Sequence, residues 1–151
     1  MIFLKYTKGD LFEDLEFKKE VILLHAVNSK KVWGSGIAKI FCKNFPLAYS
    51  QYKNNKNVLG TGYILEDNGY RIACLVTSVN YGKWIDPPLK IADSTYRAVK
   101  NLLEVIPDDS VIHSPKINVG LFKTPWNLTE DAIRAAGRES EKNVEWLVFE
   151  L

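Results

Sequence analysis

The stretch Val21–Phe41, VILLHAVNSKKVWGSGIAKIF, constrains the fold more than any other part of the chain. It starts as the apolar run Val21-Ile22-Leu23-Leu24, passes His25 and Asn28, and reaches Trp33-Gly34-Ser35-Gly36 through Ser29-Lys30-Lys31. From Ile37 the apolar spacing turns helical, with Ile37, Ile40, Phe41 and Phe45 on one face and Pro46 as the stop. Val21–Val27 is too short for a free-standing helix and β-branched at its ends, which predicts a strand buried on both faces. A buried strand that ends in a glycine-bearing loop and feeds a helix N-terminus is an anion cradle.

The remaining chain alternates in the same way. Ile2–Tyr6 reads as a first strand, Lys8-Gly9-Asp10 as a turn, and Leu11–Leu15 as one loose helical turn. Leu47–Lys53 reads as a short helix. Leu59–Glu66 and Tyr70–Thr77 flank Asp67-Asn68-Gly69, the signature of a hairpin. Ile91–Ile106 has an amphipathic helical period, Val111–Asn118 is a strand, and Asn127-Leu128-Thr129-Glu130 is a capping box for a helix to Arg138. Val144–Phe149 is the last strand. Strands alternating with helices, with one hairpin among them, predict a single-domain, layered α/β fold on a mixed sheet. In such folds ligands collect at strand C-terminal ends, here His25–Gly36, Thr77–Pro88 and Asn118–Trp126.

With 151 residues and a formal net charge of +2, no global field for nucleic acid or an anionic membrane exists, so any anion site is local. No apolar run approaches the roughly 20 residues needed to span a bilayer. The early charges of MIFLKYTKGDLFED argue against a secretory signal, so a cytoplasmic location is expected. Cys42 and Cys74 lack metal-ligand spacing and read as packing thiols. The acids are scattered and the two histidines distant, so neither a metal nor a cofactor is expected.

Two nucleotide folds are excluded by spacing. A dinucleotide fingerprint needs a third glycine where Lys39 stands and an acid in the basic, amide-rich stretch Gln51–Val58; no Walker lysine spacing is present either. A second glycine loop, Asn118-Val119-Gly120-Leu121-Phe122, follows a strand, and two such loops can clamp a diphosphate from both sides.

Taken together, Lys8-Gly9-Asp10, HAVN followed by WGSGIAK, Phe45-Pro46-Leu47-Ala48-Tyr49 and PKINVGLFKTPW resemble a macro domain, an ADP-ribose-binding module, over essentially the whole chain. Within that family the pattern is similar to the fungal-type ADP-ribose 1''-phosphate phosphatases. The resemblance implies a three-layer α/β/α fold. It implies that Asp10, between Gly9 and Leu11, reads the adenine amino group, and that Asn28 binds hydroxyls of the distal ribose. Gly34, Ser35, Gly36, Ile37 and Ala38 would offer N–H groups to the phosphates. Asn118, Val119, Gly120, Leu121 and Phe122 would close the opposite wall, with Thr77 at the neighbouring strand end. His25 stands open between two roles, proton transfer to or attack on a phosphate ester beside Asn28, and a buried side chain that fixes the loop.

A related branch cleaves ADP-ribose from acidic side chains with a Lys–Asp pair, but Ser78 and Phe122 occupy those positions; the branch with an asparagine pair keeps only Asn28. The leading expectation is therefore a metal-free phosphatase acting on ADP-ribose 1''-phosphate. Its alternatives are an ADP-ribose reader without turnover and a hydrolase acting on ADP-ribosylated protein or O-acyl-ADP-ribose. Expected partners are the small ligand and ADP-ribosylated protein, without membrane or general nucleic-acid binding.

Overall fold

Strand β2 (Ile22–Asn28) sits inside the sheet because nearly every residue it carries is buried. The computed structural model describes residues 1–34 and 36–151. Around β2 lie β1 (Ile2–Lys8), β3 (Gly62–Asp67), β4 (Tyr70–Ser78), β5 (Ser110–Pro115) and β6 (Val144–Glu150), in the order β1-β6-β5-β2-β4-β3. Only β3 runs antiparallel to its neighbour, through the expected Asn-Gly hairpin. The mixed sheet follows from that one reversal.

Helices α1 (Gly36–Asn44) and α2 (Pro46–Asn54) cover one face; α3 (Pro88–Val105) and α4 (Trp126–Arg138) cover the other. Alternate residues of β2 divide between the two cores. Ile22 and Leu24 pack with Val99, Leu102 and Ile133, whereas Leu23 and Val27 pack with Phe41, Phe45 and Tyr52. Each large side chain withdrawn from water in this way contributes about 1.5–3 kcal/mol. Asp67, from the hairpin, accepts the N–H groups of Leu47 and Ala48 at 2.9 and 3.1 Å, so a buried carboxylate caps α2. That anchors Tyr52, on which the functional loop rests.

Two local expectations are corrected. Helix α4 begins at Trp126 behind Pro125, with no side-chain cap, so Asn127 lies inside it rather than capping it. Proline fixes the φ angle there, and the Thr129 hydroxyl is engaged elsewhere. Residues 11–14 form turns, and the helical segment is a 3-10 helix over Leu15–Glu20. Asp10 Oδ1 accepts the N–H of Phe12 at 2.9 Å, a local turn that competes with a helix start. No helix of the described residues is long and apolar enough to cross a membrane.

Candidate functional site

The C-terminal ends of β2, β4 and β5 open on one cavity of about 520 Å³, within the usual size range of small-molecule sites. All three expected segments reach it. Asn28, Val32, Trp33 and Gly34 form one wall with Gly36, Ile37 and Ala38 of α1; Tyr81 and Gly82 contribute from the β4–α3 connection. Pro115, Lys116, Ile117, Asn118, Gly120, Leu121 and Phe122 form the facing wall.

The first wall is held by its own side chains. Asn28 Oδ1 accepts the N–H groups of Lys30 and Val32 at 3.0 and 3.4 Å, and Nδ2 donates to the Val32 carbonyl at 2.9 Å. Tyr52 donates its hydroxyl to the Asn28 carbonyl. Trp33, buried to 2% exposure, stacks on Tyr52 with centroids 4.8 Å apart. Its backbone therefore carries Gly34 toward the first turn of α1 in a fixed direction.

At that turn Gly36 has φ +62°, and a Cβ there would stand 3.2 Å from Leu121 Cδ1. Only glycine combines this backbone angle with so close a facing loop. A helix leaves its first N–H groups without intrahelical partners, and the first residues of α1 line the cavity with the positive end of the helix dipole behind them.

The second wall hangs on Asn118, at φ +69° and 5% exposed. Its Oδ1 accepts from the Thr77 hydroxyl at 2.8 Å, while Nδ2 donates to Thr95 and Thr129 hydroxyls at 3.0 and 3.1 Å. One side chain thereby joins β4, α3 and α4 to the loop. Asn118→Ala is expected to cost about 3 kcal/mol, since it strands buried hydroxyls at a strained position, and to lower the melting temperature by about 6–12 °C. Thermal unfolding checks this.

His25 faces away from the cavity. It lies on the Leu23/Val27 side of β2, fully buried, stacked on Phe41 at 4.0 Å and edge-on to Trp33 at 4.6 Å. Burial pushes its imidazole down to about 3, so it is neutral near pH 7 and is not a cationic acid there. Among the described residues Nδ1 has no hydrogen-bond partner, and Nε2 lies 3.9 Å from Cys74 Sγ.

A family model described as Macro domain matches residues 24–133. The chain belongs to the macro domain family. It is 38% identical over 147 residues to a Candida albicans protein named ADP-ribose 1''-phosphate phosphatase, covering 87% of this chain and 92% of that one. Among solved structures it is similar to the macrodomain of Thermus aquaticus DarG, with TM-score 0.75, 22% identity and full coverage of both chains. It is also similar to Thermosipho africanus DarTG in complex with ADP-ribose, with TM-score 0.70 and 18% identity over 96% of this chain and 41% of that one.

Of the macro-domain residues expected at the site, Asn28, Gly34, Gly36, Ile37, Ala38, Asn118, Gly120, Leu121 and Phe122 converge on the cavity. Ser35 lies outside the described residues. His25 does not fit the catalytic role expected for it, because β2 turns its ring into the α1–α2 core. Thr77 is fully buried and committed to Asn118, Val119 is exposed outside the lining, and Leu11 packs in the core. Gly9 and Asp10 stand outside the lining too. The Gly9 N–H donates to the Glu150 carbonyl at 2.8 Å, and the Glu150 carboxylate pairs with Lys116 at 2.5 Å, so this turn adjoins one end of the cavity. Lys116 is a residue that the sequence gives little reason to single out; its one signal is being the lone charge in PKINVG. Tyr81 lines the cavity and is exposed, and Trp84 on the same connection is exposed outside the lining.

Burial also lowers His113 to about 4, with help from the ammonium of Lys18, whose Nζ is 3.0 Å from its Nδ1. Both histidines titrate near 6.5 when unfolded, so below that pH the unfolded chain binds more protons than the fold. Stability is therefore expected to fall as the pH drops from about 6.5 toward 4, each histidine contributing up to about 1.4 kcal/mol per pH unit. Urea unfolding in that range should show a shallower slope for His25→Phe than for the wild type.

Proposed function

We propose that this macro domain binds ADP-ribose 1''-phosphate and hydrolyses it to ADP-ribose and inorganic phosphate. The observation that carries the reading is the first turn of α1 lining the cavity between two glycine-bearing loops, with Gly34, Gly36 and Gly120 offering backbone without a Cβ. The printed activity of the Candida albicans relative, and the ADP-ribose in the Thermosipho africanus complex, support the choice of ligand. In this reading the diphosphate lies against Gly34–Ala38 and Gly120–Phe122. Adenine extends toward Lys116 and the Gly9–Asp10 turn, and the distal ribose toward Asn28 and Phe122.

Water attacks phosphorus, the bond from phosphorus to the anomeric oxygen breaks, and the proton lost by water is matched by one that the departing oxygen takes from solvent. Phosphoryl transfer of this kind has a loose transition state and depends on positioning and charge stabilisation more than on a base. Backbone N–H groups aimed at the phosphoryl oxygens supply that stabilisation. Asn28 and Asn118 act as positioning residues through the loops they hold, and His25 acts through Trp33 and Phe41. One observation favours a second reading, recognition without turnover: no carboxylate or histidine is among the described residues lining the cavity. Calorimetric titration with ADP-ribose combined with a phosphate-release assay separates the two. Binding with release supports the phosphatase, binding without release supports the reader, and absence of binding at millimolar ligand overturns both.

A further inference from the structure

Seven non-glycine residues among those described adopt positive φ, and five of them are Asn or Asp, the types that tolerate it. The two exceptions are Lys31 at +68° and Lys123 at +53°, outside the lining but next in the chain to the lining residues Val32 and Phe122. Lys31 sits inside the turn that Asn28 closes, between Lys30 and Val32. Lys123 follows Phe122, and its N–H donates to the Gly120 carbonyl at 3.1 Å. Both side chains are exposed, and neither forms an ion pair among the described residues. Lysine gives the turns nothing that Asn or Gly would not give better, so the backbone does not account for its presence at either position.

The local charge points the same way. The segments 28–43, 79–90 and 116–126, which line or flank the cavity, hold eight lysines and a single acid, Asp86. The rest of the chain holds twelve cations and seventeen acids, so the net charge of +2 hides a basic rim on an acidic body. Asp86 is buried, accepts the Val79 N–H at 2.9 Å and lies 3.9 Å from Lys90, and Lys116 pairs with Glu150; the other six lysines form no ion pair among the described residues.

We infer that Lys31 and Lys123, one in each cavity loop, are specificity residues that read a dianionic phosphate monoester at the distal end of the ligand and disfavour its uncharged counterpart. The inference rests on the proposed ligand and adds to it the residues that distinguish ADP-ribose 1''-phosphate from ADP-ribose. Two exposed ammonium groups flanking one phosphate also make the encounter salt-dependent.

The test is the double variant Lys31→Asn with Lys123→Asn, whose new side chains suit left-handed backbone. Its melting temperature is expected to equal or exceed that of the wild type. KM for ADP-ribose 1''-phosphate should rise about ten-fold and lose most of its dependence on salt, with the Kd for ADP-ribose changed less than about two-fold. Lys31→Arg with Lys123→Arg should keep the wild-type values. An unchanged KM and salt dependence in the Asn pair, or an equal loss for both ligands, would overturn the inference, as would a lowered melting temperature with unchanged KM. If the wild type releases no phosphate, equilibrium displacement of ADP-ribose by its 1''-phosphate makes the same comparison. Lack of turnover then counts against the activity, and lack of charge preference counts against the lysines.

Discussion

Gly36→Val is expected to lower affinity for ADP-ribose by at least about 100-fold, equivalent to about 2.7 kcal/mol. Position 36 is the first residue of α1 and has φ +62°, where a β-branched side chain is an outlier. Its Cβ alone would press Leu121 Cδ1 at 3.2 Å, and valine adds two methyl groups. Either the first turn of α1 or the 118–122 loop has to move. The N–H groups of residues 36–38 then lose their aim at the phosphates, and charge-assisted hydrogen bonds of this kind contribute about 1.5–3 kcal/mol each. Global stability should suffer less than binding, because the strain sits at a helix end. Gly36→Ala, with the same backbone strain and a smaller side chain, should lie between the wild type and the valine variant. Calorimetry on the three proteins checks the order, and equal affinity in all three would remove the α1 cradle from the account.

His25 carries the second large effect, on stability and not on chemistry. His25→Ala is expected to cost about 3 kcal/mol by leaving a cavity against Phe41, Trp33 and Cys74, or about 6–12 °C in melting temperature. His25→Phe should be close to neutral. Its ring keeps the stack on Phe41, and it removes Nδ1, a buried polar atom without a partner among the described residues. A histidine acting as acid, base or nucleophile would show the opposite pattern, with turnover falling about 10²–10⁴-fold in the phenylalanine variant. Retention of turnover in His25→Phe assigns the residue to the support of Trp33.

The sheet and its helices were legible because each element carries a complete local signal: a doubly apolar strand at β2, an Asn-Gly turn between β3 and β4, and a long amphipathic period in α3. The three cavity segments were legible as the connections that follow strand ends, two of them glycine loops. The direction of His25 was accessible in principle, since strand alternation groups it with Leu23 and Val27. The same alternation puts Asn28, three residues further on, on the opposite face from His25. The irregularity at the strand end was not legible: Val27 pairs with Val76 but Asn28 pairs with Ser78, so Thr77 of β4 is an extra residue in the register. The Asn118 node was hidden as well. Its partners Thr77, Thr95 and Thr129 are separated from it by 41, 23 and 11 residues, and nothing local to any of them signals a shared contact. Lys31 and Lys123 looked like ordinary loop lysines until their backbone angles were known.

The central claim is that the cradle at the α1 N-terminus supports phosphatase chemistry without a titrating side chain. Steady-state phosphate release from ADP-ribose 1''-phosphate by the wild type, His25→Phe and Gly36→Val tests it directly. The account predicts turnover by the wild type and by His25→Phe at similar kcat, and its near-complete loss in Gly36→Val. Release abolished in His25→Phe, or undiminished in Gly36→Val, would contradict it.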